Sequence, residues 1–300
     1  LFLEIAIFAY MWQFYFQFEL VDPLQKIWYR GFLLENGIYS AILIFFSVTY
    51  GGMRLGYMKN SEIIFSQVFA TLMADVLIYA GSLVNPQLLE YADSRCEIHN
   101  SAEMTLEDII SVMVQAEEAG KTVVRLHTGE PSIYGAVREQ FDELEKRGIA
   151  YDVCPGVSAF CGAAAALRAE YTLPNVSQTV IITRMEGRTP VPERERLASL
   201  AAHGATMVIF LSIGLIDKVQ AALLQGAYKP DTPAAVVYKA SWPEEKIVRC
   251  TVGSLAESTR AAGITKTALI VVGDFLGTQY ERSKLYDPAF TTEFRKGEPV

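Results

Sequence analysis

The sequence predicts an α/β protein in two lobes, each built on a sheet with helices against it. Three observations carry that expectation. From Lys121 onward, short apolar runs alternate with longer amphipathic stretches, the period switching between that of a strand and that of a helix. Two Gly/Pro loops, Thr128-Gly129-Glu130-Pro131 and Pro155-Gly156-Val157-Ser158-Ala159, each follow such a run and open a helix-forming stretch. Loops of that kind, at the carboxyl ends of neighbouring strands, are where open α/β sheets bind ligands. The composition also changes along the chain: residues 1–73 are crowded with Phe, Tyr, Ile and Leu, whereas 75–300 have the mixture of a soluble α/β protein.

The elements follow in order. Thr105 is placed to cap a helix running to about Glu118, with Asp108 three positions on and Gly120 as its stop. Leu106, Ile109, Ile110, Val112, Met113 and Val114 give that helix a broad apolar face. Lys121–Leu126 reads as a strand, Tyr134–Arg147 as a helix ending at Gly148, Ala150–Cys154 as a strand, and Ser158–Arg168 as an alanine-rich helix. Further strands are expected near Thr179–Thr183, Met207–Leu211, Ala234–Tyr238, Lys246–Cys250 and Thr267–Val272. Helices are expected at Glu193–Ala202, Leu215–Gln225 and Ser254–Ala262. The change of lobe falls near Cys154–Pro155, which divides the chain into 1–73, 74–153 and 154–300.

The first of these segments resembles membrane protein. Residues 1–20 are mostly apolar, though Glu4, Gln13, Gln17 and Glu19 interrupt them, and 37–53 approach the roughly 17–25 residues of a spanning helix. Arg54 and Lys59 on one side and Lys26 and Arg30 on the other leave the orientation open. The alternative is a pair of buried helices in a soluble domain. Because the chain starts at Leu1 rather than Met, it is expected to be a fragment.

A net charge of −8 argues against general attraction to nucleic acid. The four cysteines, Cys96, Cys154, Cys161 and Cys250, form no CxxC pair and are expected to be free thiols. His99, His127 and His203 are dispersed, no cluster has metal-ligand spacing, and no GxSxG elbow or phosphate-binding Walker loop occurs. Without a nucleophile or metal, such a protein commonly works by positioning a reactive cofactor against its substrate. Glu130 is placed either to bind a ligand hydroxyl or to accept N–H groups of its own turn. His127, at a strand end, reads as a packed histidine more readily than as a ligand.

Read together, AGSLVNP, HTGEPSIYG, CPGVSAFCGAAAALRAEYTLP, ITRMEGRTPVPE, VVYKASWPEEKIVRCTVGSL and TALIVVGDFLG resemble the tetrapyrrole methylase family. The likeness runs from about Ala74 to the C-terminus and is strongest to the branch acting on carbon 11 of precorrin-4 or cobalt-precorrin-4. It implies two cytoplasmic α/β domains, a homodimer, and S-adenosylmethionine held between the domains, facing a corrinoid precursor that carries carboxylates. Carried over by position, the resemblance assigns the cofactor to Thr128, Gly129, Glu130 and Ile133 from one lobe. From the other it assigns Ser158, Ala159, Leu211, Ala240, Thr267 and Ala268. Arg184 and Arg188 are the candidates for the substrate carboxylates, because the guanidinium fork matches their geometry. The competing role for each arginine is an ion pair with Glu186 or Glu193. Tyr134 is a candidate to lie at the substrate and handle a proton; packing is its other role. No catalytic base is implied.

Where family members begin with a strand and a GxGPGDP loop, this chain has neither. The resemblance therefore implies a tetrapyrrole methylase fold lacking its first strand, preceded by two hydrophobic membrane-like helices. Residues 1–73 resemble, with less specificity, the membrane segment of a bacterial polyprenyl-phosphate sugar transferase, implying membrane insertion through 1–53. The alternatives are an inactive membrane-anchored fusion remnant and another methylase of the same family.

Overall fold

Residues 74–297 are described by the computed structural model. Strands β1 (Val76–Tyr79), β2 (Glu97–Asn100) and β3 (Val123–Leu126) form a parallel sheet in the order β2-β1-β3. Val76 pairs with both Glu97 and Val123, so the three strands end level at Tyr79, Asn100 and Leu126. Helix α1 (Leu106–Glu118) makes the crossover from β2 to β3. Its start is fixed locally: the Asp108 N–H donates to Thr105 Oγ1 at 3.2 Å, and the Thr105 N–H donates to Asp108 Oδ2 at 2.9 Å. Its apolar face, Ile109, Ile110, Met113 and Ala116, packs on Val76 and Ile78 of the sheet and on Leu144 of α2 (Arg138–Lys146). Each such Ile or Met contributes about 1.5–3 kcal/mol by leaving water.

The second sheet has the order β4-β5-β8-β6-β7, from strands β4 (Val180–Arg184), β5 (Thr206–Phe210), β6 (Pro233–Tyr238), β7 (Lys246–Thr251) and β8 (Ala268–Val272). β4 and β5 are parallel, while β8 runs antiparallel to both β5 and β6. Its central strands are almost wholly apolar because both faces are covered, and the buried Thr206 of β5 is satisfied by donating to the Tyr171 carbonyl at 2.8 Å. Met207, Ile209, Val236, Ile270 and Val272 face α4 (Leu197–Ala201), α5 (Ile216–Gln225) and α6 (Leu255–Ala261). The alternate residues Val208, Ala235, Val237, Leu269 and Val271 face Ala163 and Leu167 of α3 (Ala159–Leu167). This geometry brings the carboxyl ends of β4, β5 and β6 and the amino end of β8 to one edge of the sheet.

The structure corrects three sequence expectations. The helix expected from Tyr134 begins at Arg138, because Tyr134 and Ala136 sit at φ 57° and 49°, outside any right-handed helix. The helix expected over 193–202 is a 3-10 turn, Glu193–Glu195, then an extended Arg196, then α4. Ala150–Cys154 is not a strand: among the described residues it pairs with none, and Tyr151 instead stacks on Phe141 of α2 at 4.9 Å. Strands β1 and β2, four residues each, had given no distinct signal. The two apolar runs, 1–20 and 37–53, lie outside the described residues. Among the described residues no helix is long and apolar enough to cross a membrane. All four cysteines are free.

Candidate functional site

The two Gly/Pro loops meet. A Cβ on Gly156 would lie 2.0 Å from the Gly129 carbonyl oxygen, so the two backbones touch where only glycine fits. Gly129, at φ 64°, is also close on its other side, though less severely: a Cβ there would stand 3.3 Å from the Ala159 nitrogen. Glu130 fastens the join. Its carboxylate accepts the Ser132 N–H at 3.0 Å and, from the other loop, the Gly156 N–H at 2.7 Å. The Ser132 and then the Gly156 N–H bonds hold this carboxyl below its ordinary value. Of the two roles open to Glu130, the turn-bonding one is observed, extended across to the second loop.

The second sheet supplies the facing wall. Three non-glycine residues directly flanking strands at the shared edge adopt left-handed backbone: Leu211 (φ 52°) after β5, Lys239 (φ 46°) after β6, and Thr267 (φ 53°) before β8, with Ser241 (φ 74°) two residues past Lys239 in the same turn. The Lys239 N–H donates to the Thr267 carbonyl at 2.9 Å, tying two of them together. Each costs on the order of 1–3 kcal/mol, and such strain concentrates at ligand sites. Leu211 is 64% exposed, an apolar side chain presented to solvent on a strained backbone. Ala240 lies close under α3, 3.5 Å from where a Cβ on Gly162 would stand, and Ala268 pairs with Tyr238. Tyr134 reaches from the first loop to the second sheet: its ring centroid is 5.4 Å from that of Phe210, the residue before Leu211.

Thus Gly129, Glu130, Ser158 and Ala159 come together directly, while Leu211, Ala240, Thr267 and Ala268 line the sheet edge. Thr128 and Ile133 flank Glu130 on the first loop, the Ile133 N–H donating to the Glu130 carbonyl at 3.2 Å. Ser158 is buried but caps α3 without a side-chain hydrogen bond.

The two arginines differ. Arg184 ends β4 opposite Phe210, and its guanidinium donates to the carbonyls of Thr189 (3.1 Å) and Pro190 (2.8 Å), closing its own loop. Arg188 is exposed at the tip of that loop. Neither pairs with Glu186 or Glu193; Glu193 pairs with Arg196 at 3.7 Å. Burial raises the Tyr134 phenol, opposed by the charge of Arg184, so the hydroxyl stays protonated at neutral pH. Below the first loop, burial and then Arg125 push His127 down to about 4, and its Nε2 is buried without a hydrogen-bond partner. His127 is a packed neutral histidine. A cavity of about 460 Å³ between α1 and α2 lies away from these loops.

The sequence marks Gly156 only as part of its Gly/Pro loop, and it marks neither Phe210 nor Lys239.

The family model of the tetrapyrrole (corrin/porphyrin) methylases matches residues 71–256, a span containing the joined loops and two of the three strained strand-end residues. The chain belongs to the tetrapyrrole methylases. A curated relative, the cobalt-precorrin-4 C(11)-methyltransferase of Methanocaldococcus jannaschii, is 59% identical over 224 residues, covering 74% of this chain and 86% of the relative. The X-ray structure of a cobalt precorrin-4 methyltransferase is 44% identical, covers 70% of this chain and 88% of its own, and superimposes with a TM-score of 0.68. A uroporphyrin-III C-methyl transferase from Thermus thermophilus, complexed with S-adenosylhomocysteine, shares the fold at 22% identity with a TM-score of 0.60. The scaffold shared with those structures is the α/β fold.

Proposed function

We propose that this methylase transfers the methyl group of S-adenosylmethionine to carbon 11 of precorrin-4 or cobalt-precorrin-4, a step of cobalamin synthesis. The observation carrying this reading is the 59% identity to the Methanocaldococcus jannaschii enzyme. The site fits the cofactor in kind. Glycine-lined backbone and small side chains admit a ligand against main-chain groups, and the exposed, strained Leu211 offers it an apolar contact. When bound, the cofactor supplies an electrophilic methyl group on a sulfonium cation, open to in-line displacement by carbon.

The chain's own part is positioning and exclusion of water. Thr128, Gly129, Glu130 and Ile133, from the lobe of residues 74–153, form one wall of the cofactor site. Ser158, Ala159, Leu211, Ala240, Thr267 and Ala268, from the lobe of 154–300, form the other. Arg188, free of ion pairs among the described residues, grips a substrate carboxylate, while Arg184 keeps the shape of the loop that presents it. Tyr134 donates a hydrogen bond towards the substrate; burial keeps its phenol protonated at neutral pH, so it acts as a donor and not as a base. A homodimer, and membrane association through 1–53, belong to the same reading.

The test is calorimetric titration of S-adenosylmethionine into the detergent-purified full chain. Saturable one-site binding, followed by methylation of cobalt-precorrin-4 seen as a mass gain, is the expected result. A folded sample that binds nothing overturns the reading.

A further inference from the structure

Arg125 is a half-buried cation with no carboxylate beside it among the described residues. Burial alone brings its guanidinium down to about 10. Neutral acceptors hold it instead: Nη1 donates to the Ile78 carbonyl at 3.1 Å, Nη2 to Ser101 Oγ at 3.1 Å, and Nε to Gln140 Oε1 at 3.2 Å. Ser101 Oγ in turn donates to the Tyr79 carbonyl at 2.8 Å. One side chain thereby ties the ends of all three strands of the first sheet to α2. The chain of bonds continues outward. Gln140 is 6% exposed, and its Nε2 donates to the Ala136 carbonyl at 3.1 Å.

Ala136 lies in the loop between Pro131 and α2, which has two left-handed non-glycine residues, Tyr134 and Ala136. The same loop has Gly135 packed against the Pro131 carbonyl, where a Cβ would sit 2.0 Å away. A backbone so bent relaxes unless something outside it holds it. The amide of Gln140 is oriented to hold it: with its oxygen taken by Arg125, its NH₂ must face Ala136. We infer that Arg125 and Gln140 form a positioning relay that sets the 131–137 loop and so places Tyr134 against Phe210 at the edge of the site. Gln140 acts through the loop and touches no reacting atom. The inference rests on the methyltransferase reading for what the loop serves, and on geometry alone for the relay.

The test separates these two. Hydrogen exchange of the Ser132 and Ile133 amides, which bond back to Glu130, is measured on the full chain without ligand. The chains compared are the wild type, Gln140→Leu and Gln140→Glu. Glutamate keeps the acceptor for Arg125, now charge-assisted, but has no donor for Ala136. Both variants are expected to exchange these amides about tenfold faster, the effect of one lost hydrogen bond. Exchange in β5 and β8 is expected to stay unchanged. Gln140→Glu, which keeps the bond beneath, guards against a folding defect in Gln140→Leu. In both variants S-adenosylmethionine is expected to bind more weakly, with the KM for the tetrapyrrole rising more than kcat falls. Wild-type exchange at 132–133 in Gln140→Glu overturns the relay. Faster exchange throughout the chain also overturns it, since that marks a merely structural role. A wild type that binds no cofactor overturns the methyltransferase reading instead, and the exchange result still decides the relay.

Discussion

Replacing Gly156 with alanine isolates the contact between the two loops. Gly156 does not have a left-handed backbone, so the substitution acts through space alone: its new Cβ would stand 2.0 Å from the Gly129 oxygen and 3.0 Å from the Gly129 carbonyl carbon. Ordinary contact begins near 3.4 Å, so the loops must part by about 1.4 Å. Moved that far, the 2.7 Å bond from the Gly156 N–H to Glu130 is beyond hydrogen-bond range. The cost is about 1–3 kcal/mol for overpacking, with about 1 kcal/mol or less for the solvent-screened bond to Glu130. The two sheets keep their own cores, so the chain still folds, with Tm lowered by about 2–4 °C per kcal/mol. Function should fall further than stability. Misplacement of an ångström costs about a hundredfold in rate, and S-adenosylmethionine affinity should drop at least tenfold. Calorimetric titration and thermal unfolding, run on Gly156→Ala beside Gly214→Ala, read both quantities. Gly214 has open space around its missing side chain and an unstrained backbone, so its variant should match the wild type. Wild-type affinity in Gly156→Ala would refute the claim that the joined loops form the cofactor wall.

Glu130→Gln should weaken S-adenosylmethionine binding about tenfold, because an amide presents only one acceptor to two N–H donors. It should also remove a pH dependence. The lowered carboxyl of Glu130 means the loop clamp is complete above the ordinary value of 4.5 and lost as pH falls below it through the folded-state value. Cofactor titrations across that range should show a wild-type decline and a flat, weak Glu130→Gln. His127 has the same sign in a different window. With its folded value near 4 against an ordinary 6.5, stability is present above 6.5 and lost as pH falls from there towards 4. His127→Phe, which also removes an unpartnered buried nitrogen, should flatten Tm against pH in that window and leave Tm at pH 7.5 unchanged or slightly higher. A persistent slope would place the titrating group elsewhere. Leu211→Gly should relieve a left-handed leucine, leaving Tm level or raised by a few degrees, since about 1 kcal/mol of strain offsets glycine's entropy. Cofactor affinity should fall severalfold at the same time; if both stay level, the exposed leucine does not serve a ligand.

What the sequence made legible is what is decided locally. The capping box of Thr105 and Asp108 fixes the start of α1 from residues three apart, and the buried runs of β5, β6 and β8 are long enough to admit no other reading. The first loop was also recognisable, since Thr-Gly-Glu-Pro after a strand has few uses other than a turn. What stayed illegible depends on partners distant in the chain. The contact of Gly156 with Gly129 exists only once the two loops have folded together, and the left-handed conformations of Leu211, Lys239 and Thr267 belong to residue types that do not announce them. Arg184 is a candidate substrate ligand in the sequence, with an ion pair to Glu186 or Glu193 as the alternative. Its guanidinium meets carbonyls of the loop that follows it, a use that residue type and spacing cannot distinguish from binding an anion. Short β2, Glu-Ile-His-Asn, is a strand because β1 lies beside it, and not because of its composition.

The segment Ala150–Cys154 shows how that dependence bears on the site. Its alternation is that of a strand, yet a strand is stable only in a ladder, and among the described residues β3 pairs with β1 alone. With no ladder to enter, Tyr151 stacks on Phe141 and hydrogen-bonds Glu145, anchoring the segment to α2 instead. Val153 stays 49% exposed and Val157 44% exposed. The Pro155–Ala159 loop is therefore not carried to its place by sheet pairing of the residues before it. Its fixed points are the start of α3 on one side and, on the other, the Gly129 contact and the Glu130 carboxylate. In a loop held by a flanking strand, a single carboxylate bridge would be one restraint among several. Here it is the polar link between the two loops, and for that reason Glu130 and Gly156 should be more sensitive to substitution than the arginines that the composition of their loop first brought forward.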